Sequence, residues 1–242
     1  MLVTGFPAGM FQTNCYVIAH DNATECVVVD PGQDAAEPLR RFLESSALTP
    51  TAVLLTHGHL DHTWSAQEIC DEHDVAAYIH AADRHMLADP TAGVGPQMGQ
   101  FIAGMTFAEP RLVEEFADGD VLELAGISFR IDHTPGHTQG SVVLRSRIDS
   151  DAGSADLVFT GDTLFADSIG RSDLPGGDGE QLLRSIAAKL LVLDDATTVL
   201  PGHGTTTTIG RERAGNPFLV GLGRVAAERS SMSPQIREGS PS

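Results

Sequence analysis

The chain has 242 residues, which is enough to bury a substantial core and predicts one large α/β domain, although the length alone would also allow two. Its net charge of −18 at pH 7 argues against a nucleic-acid partner, because nucleic-acid binding depends on clustered lysine and arginine side chains. No window approaches the ~20 apolar residues of a membrane span, so no membrane partner is expected either.

Short strands and turns are predicted in the N-terminal part. Residues 14–19 and 25–29 have the composition of strands, and the second leads into Asp30-Pro31-Gly32. Asp34 and Glu37 form a capping-box pattern that predicts the start of a helix. A third apolar strand at 52–55 leads into a histidine-rich loop, after which a helix is expected from Thr63.

The middle and C-terminal parts alternate between strands and helices. Further strands are predicted at 75–79, 112–113, 121–124, 127–131, 141–144, 157–159 and 198–200. One apolar stripe predicts a helix over 180–193. Strands and helices in two successive groups indicate paired sheets with helices on their outer faces.

Two segments have a different character. Residues 80–110 are rich in Gly, Met and Phe, and they are interpreted either as a lid over an active site or as part of the core. Residues 228–242 are rich in Ser, Pro and charge and are predicted to be disordered, so the folded domain is expected over 1–227.

Cysteine usage and the first residues predict a compartment. Cys15, Cys26 and Cys70 are odd in number and widely spaced, with neither a C-x-x-C pair nor a disulfide framework. This pattern predicts a reduced, cytoplasmic setting. The first residues lack a basic region followed by an apolar core, so no signal peptide is expected.

The most informative segment is the histidine-rich loop, residues 57–62, with three imidazoles and one carboxylate in six positions. Side chains two apart in an extended segment face the same way, so His57 and His59 can converge on one cation. Asp61 and His62 can then face a second one nearby. Three later Gly-containing turns each supply one further ligand-type side chain: His137, Asp162 and His203.

This ordered series of His-x-His-x-Asp-His, His, Asp and His resembles the metallo-β-lactamase superfamily, and within it the short bacterial glyoxalase II-like, or hydroxyacylglutathione hydrolase-like, enzymes. The similarity extends from Asn14 to His203. It implies an α+β fold, a four-layer αββα sandwich. It also assigns metal one to His57, His59 and His137, metal two to Asp61, His62 and His203, and a bridging position to Asp162.

The resemblance implies a hydrolase with two divalent metal ions. Zinc is the expected metal, although iron or manganese would accept the same ligands. A metal-bound hydroxide oriented by Asp61 would attack a small-molecule thioester, such as an S-lactoyl thiol, and release lactate and the thiol. Departure of the thiol is easy because its pKa is about 8.5.

Two further residues are candidates for roles around the metals. Asp30 resembles a position whose carboxylate braces a ligand histidine, with an ordinary Asp-Pro-Gly turn as the alternative. Arg171 is a candidate for binding a substrate carboxylate, with a structural ion pair as the alternative. Asp173 stands where glyoxalase II enzymes have a tyrosine.

Other activities stay open on the same resemblance. The Gly-Arg-x-Asp arrangement at 170–173 is also similar to persulfide dioxygenases, which use one iron. Lactone and β-lactam hydrolysis are also compatible with the metal ligands, because a metal centre does not select its carbonyl. The thiol carrier and the oligomeric state are not predicted.

Overall fold

Two six-stranded sheets dominate the computed structural model, which describes residues 1–150 and 153–220. The predicted disordered tail at 228–242 lies outside the described residues. The first sheet has the order β1 to β6: Leu2–Ala8, Thr13–Ala19, Glu25–Val29, Thr49–Leu54, Ala76–His80 and Val113–Phe116. Its first three strands are antiparallel, and β3 to β6 are parallel.

The second sheet contains the later strands in the order β14, β13, β10, β9, β8, β7. These strands are β7 Val121–Leu124, β8 Ile127–His133, β9 Val142–Ser150, β10 Gly153–Gly161, β13 Thr198–Pro201 and β14 Thr207–Thr208. A separate two-stranded ribbon is formed by β11 Leu164–Phe165 and β12 Ser168–Ile169. Only the β10–β13 pair in the described part of this sheet is parallel.

The helices lie along the outer faces and in the connections. They are α1 Ala36–Ser46, α2 Leu60–Thr63, α3 Ala66–His73, α4 His85–Ala88, α5 Pro96–Phe101, α6 Gly179–Ser185 and α7 Ile209–Gly215. Among the described residues, none of these helices is long and apolar enough to cross a membrane.

Three separate apolar clusters show that the molecule has four layers. Strand β2 is buried throughout, and because its side chains alternate between faces, Val17 packs toward the helices and Ile18 toward the other sheet. Leu39 of α1 belongs to the cluster on the helix side of the first sheet. Leu182 of α6 packs on the outer face of the second sheet. The predicted αββα sandwich of the α+β class is therefore confirmed.

Several local predictions are wrong. Asp34 has a φ of 58°, in the left-handed region, and the residue that precedes α1 is Ala35, which makes no side-chain capping bond. The capping box therefore does not form. The helix predicted over 180–193 is α-helical only to Ser185 and then widens into a π-turn at Ile186–Leu190. Strand β1 was not predicted, because Gly5 and Pro7 are atypical of strands; its edge position tolerates both.

Candidate metal centre

The side chains predicted to bind metal all follow the carboxyl ends of strands. Residues 57–62 come after β4, His137 after β8, Asp162 after β10 and His203 after β13. Strand β4 belongs to the first sheet and the other three to the second. The loops meet at one edge of the sandwich, where the backbone N–H of Asn14 donates to the carbonyl of Gly202 at 2.7 Å. Both sheets therefore contribute to the site.

The first group consists of three buried imidazoles. The Nε2 atoms of His57 and His137 are 3.2 Å apart, and Nδ1 of His59 lies 2.8 Å from Nε2 of His137. The rings of His57 and His137 meet at 80°, and those of His59 and His137 at 90°. Three nitrogen atoms thus converge on one point, as three ligands of a tetrahedral metal ion would.

The second group lies beside the first and is partly open to solvent. Nε2 of His203 is 3.2 Å from Oδ2 of Asp61 and 3.3 Å from Nε2 of His62. The side chain of His62 is fully buried, whereas those of Asp61 and His203 are 22% and 28% exposed. This exposure gives a substrate access to the second group.

The Asp162 carboxylate lies between the two groups. Its Oδ1 is 3.2 Å from Nε2 of His62, and its Oδ2 is 3.6 Å from Nε2 of His137. Oδ1 is buried and has no hydrogen-bond partner in the described part of the chain. One oxygen therefore faces each group, which is the geometry that a bridging ligand requires.

Hydrogen bonds behind the rings fix the tautomers of His57 and His62. Nδ1 of His62 donates to the buried Asp30 carboxylate at 2.9 Å, because a carboxylate can only accept. Thr56 also donates its hydroxyl to Asp30, at 2.7 Å, so this hydroxyl oxygen accepts from Nδ1 of His57 at 3.1 Å. When the rings are neutral, Nε2 of each then bears a lone pair.

His137 and His203 are oriented in the same way, by hydrogen bonds at Nδ1. Nδ1 of His137 donates to the carbonyl of Arg171 at 2.7 Å, and Nδ1 of His203 donates to that of Phe11 at 3.1 Å. When the four rings are neutral, the Nε2 lone pair of His57 therefore points at that of His137, and the lone pair of His62 at that of His203. Such contacts are repulsive unless a cation or a shared proton lies between the rings, so the residues fit a metal centre. Each of the four rings is also held by a hydrogen bond at Nδ1, as metal-ligating histidines usually are.

Burial and neighbouring charges shift histidine pKa values in opposite directions in the two groups. Burial lowers the pKa of His59 to about 3, and burial together with the neighbouring His62 lowers that of His57 well below its usual value, so both rings are neutral. Burial alone would also lower the pKa of His62, but Asp162, Asp61 and Asp30 together raise it well above the ordinary value. The carboxylates thus concentrate negative charge around the second group.

A cleft of about 440 Å³ opens onto this cluster. The residues that line it include 93–95, Gln97, Met98, Leu174 and Arg171. Elsewhere in the 80–110 segment, Leu87 is buried in the core on the helix side of the first sheet. This segment therefore contributes both to the cleft wall and to the core.

Asp30 and Arg171, the two residues predicted to support the metals or bind substrate, lie in different surroundings. Asp30 is buried and accepts from the Thr56 backbone and hydroxyl and from His62. Arg171 is one of the residues that line the cleft, and its guanidinium is paired with Asp173 through two bonds of 2.7 Å. Sequence reasoning missed Thr56 and the buried Asp83, whose partners are distant in the chain, so only a three-dimensional structure identifies them.

Comparisons with known proteins agree with this geometry. A family model described as the Metallo-beta-lactamase superfamily matches residues 8–203. An uncharacterized protein of Mycobacterium tuberculosis is 59% identical over 93% of this chain and 100% of that protein. Hydroxyacylglutathione hydrolase GloC of Haemophilus influenzae is 35% identical over 88% of this chain and 95% of that protein.

Two solved structures are similar over nearly the same length. BLEG-1 B3 metallo-beta-lactamase is 38% identical with a TM-score of 0.78, and the match covers 91% of this chain and 100% of that one. TTHA1623 in a di-iron-bound form is 33% identical with a TM-score of 0.72, covering 90% and 100%.

Proposed function

Because this chain belongs to the metallo-beta-lactamase superfamily, we propose that it is a hydrolase that holds two metal ions and cleaves thioesters of a low-molecular-weight thiol, as glyoxalase II enzymes do. The observation that supports this most is the position of Asp162 between two groups of ligand atoms. The similarity to GloC, a hydroxyacylglutathione hydrolase, supports the substrate class.

The proposed ligands are those that the structure brings together. His57, His59 and His137 would hold the first ion, Asp61, His62 and His203 the second, and Asp162 both. We propose zinc, because a site built from imidazoles and carboxylates suits it and hydrolysis requires no redox change. TTHA1623 was solved with two irons, so iron is the alternative that metal analysis must distinguish.

The residues of the chain contribute orientation and a proton acceptor. When bound, two divalent ions supply Lewis acidity, which activates a water molecule as the nucleophile and polarises the substrate carbonyl. Asp61 is held by Thr13, whose hydroxyl lies 3.4 Å from Oδ2, and is exposed to the cleft. Its carboxylate can therefore orient the attacking water and accept a hydrogen bond from it.

Because the proposed leaving group is a thiol, the site needs no proton donor in addition to the metal ligands. A thiol with a pKa of about 8.5 departs as a thiolate without protonation. An amine leaving group would require a proton donor. The cleft wall formed by Met98 and Leu174 offers apolar contact to the carrier, and Arg171 is the candidate for binding an anionic group of the substrate.

β-Lactam hydrolysis is the second candidate, because BLEG-1 B3 metallo-beta-lactamase is 38% identical. Both activities would use the same ligands. A β-lactam releases an amine nitrogen, so its hydrolysis would also need a proton donor, which a thioester does not require.

A substrate panel tests the proposal. Protein with two equivalents of zinc is assayed on S-lactoyl thioesters of glutathione and of an uncharged thiol, a lactone, a β-lactam, and glutathione persulfide with oxygen uptake. We expect the thioesters to be cleaved fastest, and His59→Ala to abolish the activity while the exposed His20→Ala does not. No thioester hydrolysis by the zinc-loaded protein, or oxygen uptake with glutathione persulfide by protein loaded instead with one iron, would contradict the proposal.

A further inference from the structure

A buried carboxylate outside the ligand set joins the two loops of the first metal group. Asp83 lies in the turn after β5 and is only 1% exposed. Its Oδ2 accepts from the backbone N–H of Gly58 at 2.9 Å and from the hydroxyl of Thr138 at 2.6 Å. Its Oδ1 accepts from the backbone N–H of Gly140 at 2.7 Å. All three donors are therefore satisfied by one side chain.

These donors belong to the loops that carry the first group of ligands. Gly58 lies between His57 and His59, and Thr138 directly follows His137. The first loop extends from the first sheet and the second from the other sheet. Asp83 therefore fixes the distance between histidines that are supplied by different layers of the sandwich.

Close packing adds to these hydrogen bonds. A Cβ added to Gly140 would lie 2.5 Å from Cγ of Asp83, and one added to Gly58 would lie 2.8 Å from the Asp83 carbonyl oxygen. Both glycines thus allow the backbone of their loop to approach Asp83 directly. The contact leaves the loops little freedom to move apart.

We propose that Asp83 is a positioning residue for the first metal group: it acts through the loop backbones and sets the spacing of His57, His59 and His137. It differs from Asp30, which contacts the ring of His62 directly. The proposal rests on the assignment of these three histidines to one ion, and it does not depend on thioesters being the substrate.

A second buried carboxylate provides a matched control. Glu212 is fully buried and also accepts three hydrogen bonds: from the Thr207 hydroxyl at 2.6 Å, the Asp167 backbone at 2.8 Å and the Asn216 amide at 2.9 Å. It joins loops that contain no proposed ligand of the first group. Glu212→Gln therefore measures the general cost of removing such a carboxylate.

The test variant is Asp83→Asn. Its amide has one oxygen, so whichever way it turns, an NH₂ group faces at least one of the three donors. Zinc affinity is measured by competition with a chromophoric chelator in two backgrounds, each lacking one site. His203→Ala leaves the first group complete, and His59→Ala leaves the second.

We expect Asp83→Asn to weaken zinc binding about 10- to 100-fold in the His203→Ala background, as loss of a supporting partner usually does, and to leave binding in the His59→Ala background unchanged. Glu212→Gln should show no such difference between backgrounds. Equal weakening in both, or none in either, would overturn the proposal.

A milder variant covers the case in which Asp83→Asn does not fold. Thr138→Val keeps the shape of the side chain but removes one donor to Asp83. We expect a smaller loss of zinc affinity, again confined to the His203→Ala background. The melting temperature of the metal-free protein should stay near that of the wild type. Folded Thr138→Val protein without selective loss would overturn the proposal. Because no substrate is used, the result is independent of the thioesterase assay.

Discussion

Nδ1 of His62 donates to the buried carboxylate of Asp30 at 2.9 Å, and this contact links the two metal groups. The same carboxylate accepts from the Thr56 hydroxyl, whose oxygen accepts from Nδ1 of His57. One side chain thus sets the tautomer of a histidine in each group, and turns both Nε2 lone pairs toward the metal positions.

Asp30→Asn should therefore weaken zinc binding at both positions. An asparagine amide that faces His62 donates where the ring also donates, so the ring loses its support. We expect a loss of about 10- to 100-fold in affinity. Chelator competition in the His203→Ala and His59→Ala backgrounds measures each position. A loss confined to one background would show that Asp30 supports only one group.

Gly202→Ala should disrupt the bridging position. A Cβ at residue 202 would lie 2.5 Å from Oδ1 of Asp162 and 2.5 Å from Cε1 of His62, closer than such atoms can approach. We expect the variant to bind fewer than two zinc ions per chain and to lose hydrolase activity. Elemental analysis after gel filtration gives the stoichiometry.

Gly215→Ala is the control for this substitution. No heavy atom lies within 4 Å of a Cβ added there among the described residues. The control should retain two zinc ions and full activity. Two zinc ions in Gly202→Ala would mean that Asp162 and His62 can move to accommodate the methyl group, which would contradict this prediction.

Asp173→Asn should change substrate preference. Asp173 pairs with Arg171 at the exposed edge of the cleft, where solvent screens the ion pair. Removing the negative charge leaves Arg171 free for an anionic substrate. We expect kcat/KM for a glutathione thioester to rise by up to about fivefold, and that for an uncharged thioester to stay constant.

Arg171→Gln should have the opposite effect on the glutathione thioester alone. Parallel changes for both thioesters in either variant would indicate that the Arg171–Asp173 pair only maintains the loop.

The thiols should be unreactive in the folded protein. Burial raises the pKa of Cys26 and of Cys70 to about 12, and burial with the nearby Asp30 raises that of Cys15 further. At pH 8 each group therefore stays in the thiol form, which is a poor nucleophile. Titration with a disulfide reagent should detect no fast-reacting thiol in native protein and three after unfolding.

Rapid modification of one cysteine with parallel loss of activity would contradict this prediction. It would instead indicate a cysteine that takes part in the reaction.

The clustering of the proposed ligands could be predicted because four of the seven lie in residues 57–62. His57 and His59 are two residues apart at the end of an apolar strand, so the spacing alone places them on one face. The αββα arrangement also followed, through the resemblance that these motifs carry. Strand β1 could not be predicted, because edge pairing with β2 outweighs the poor strand propensity of Gly5 and Pro7.

The supporting residues could not be found in this way. Asp83 accepts from Gly58, 25 positions earlier, and from Gly140, 57 positions later, so no local pattern marks it. The capping box predicted at Asp34 and Glu37 does not form, again because of structure that the local sequence does not show. Asp34 takes a φ of 58° in the turn that follows the Asp30 loop, and this conformation removes it from the capping position.

The proposed need for two metal ions is measured by titrating metal-free protein with zinc while thioester hydrolysis is followed. We expect activity to rise until two equivalents are bound per chain and then to stay constant. His203→Ala should bind one equivalent and stay far less active. Full activity at one equivalent, or hydrolysis that persists with excess chelator, would show that the enzyme does not need two metal ions.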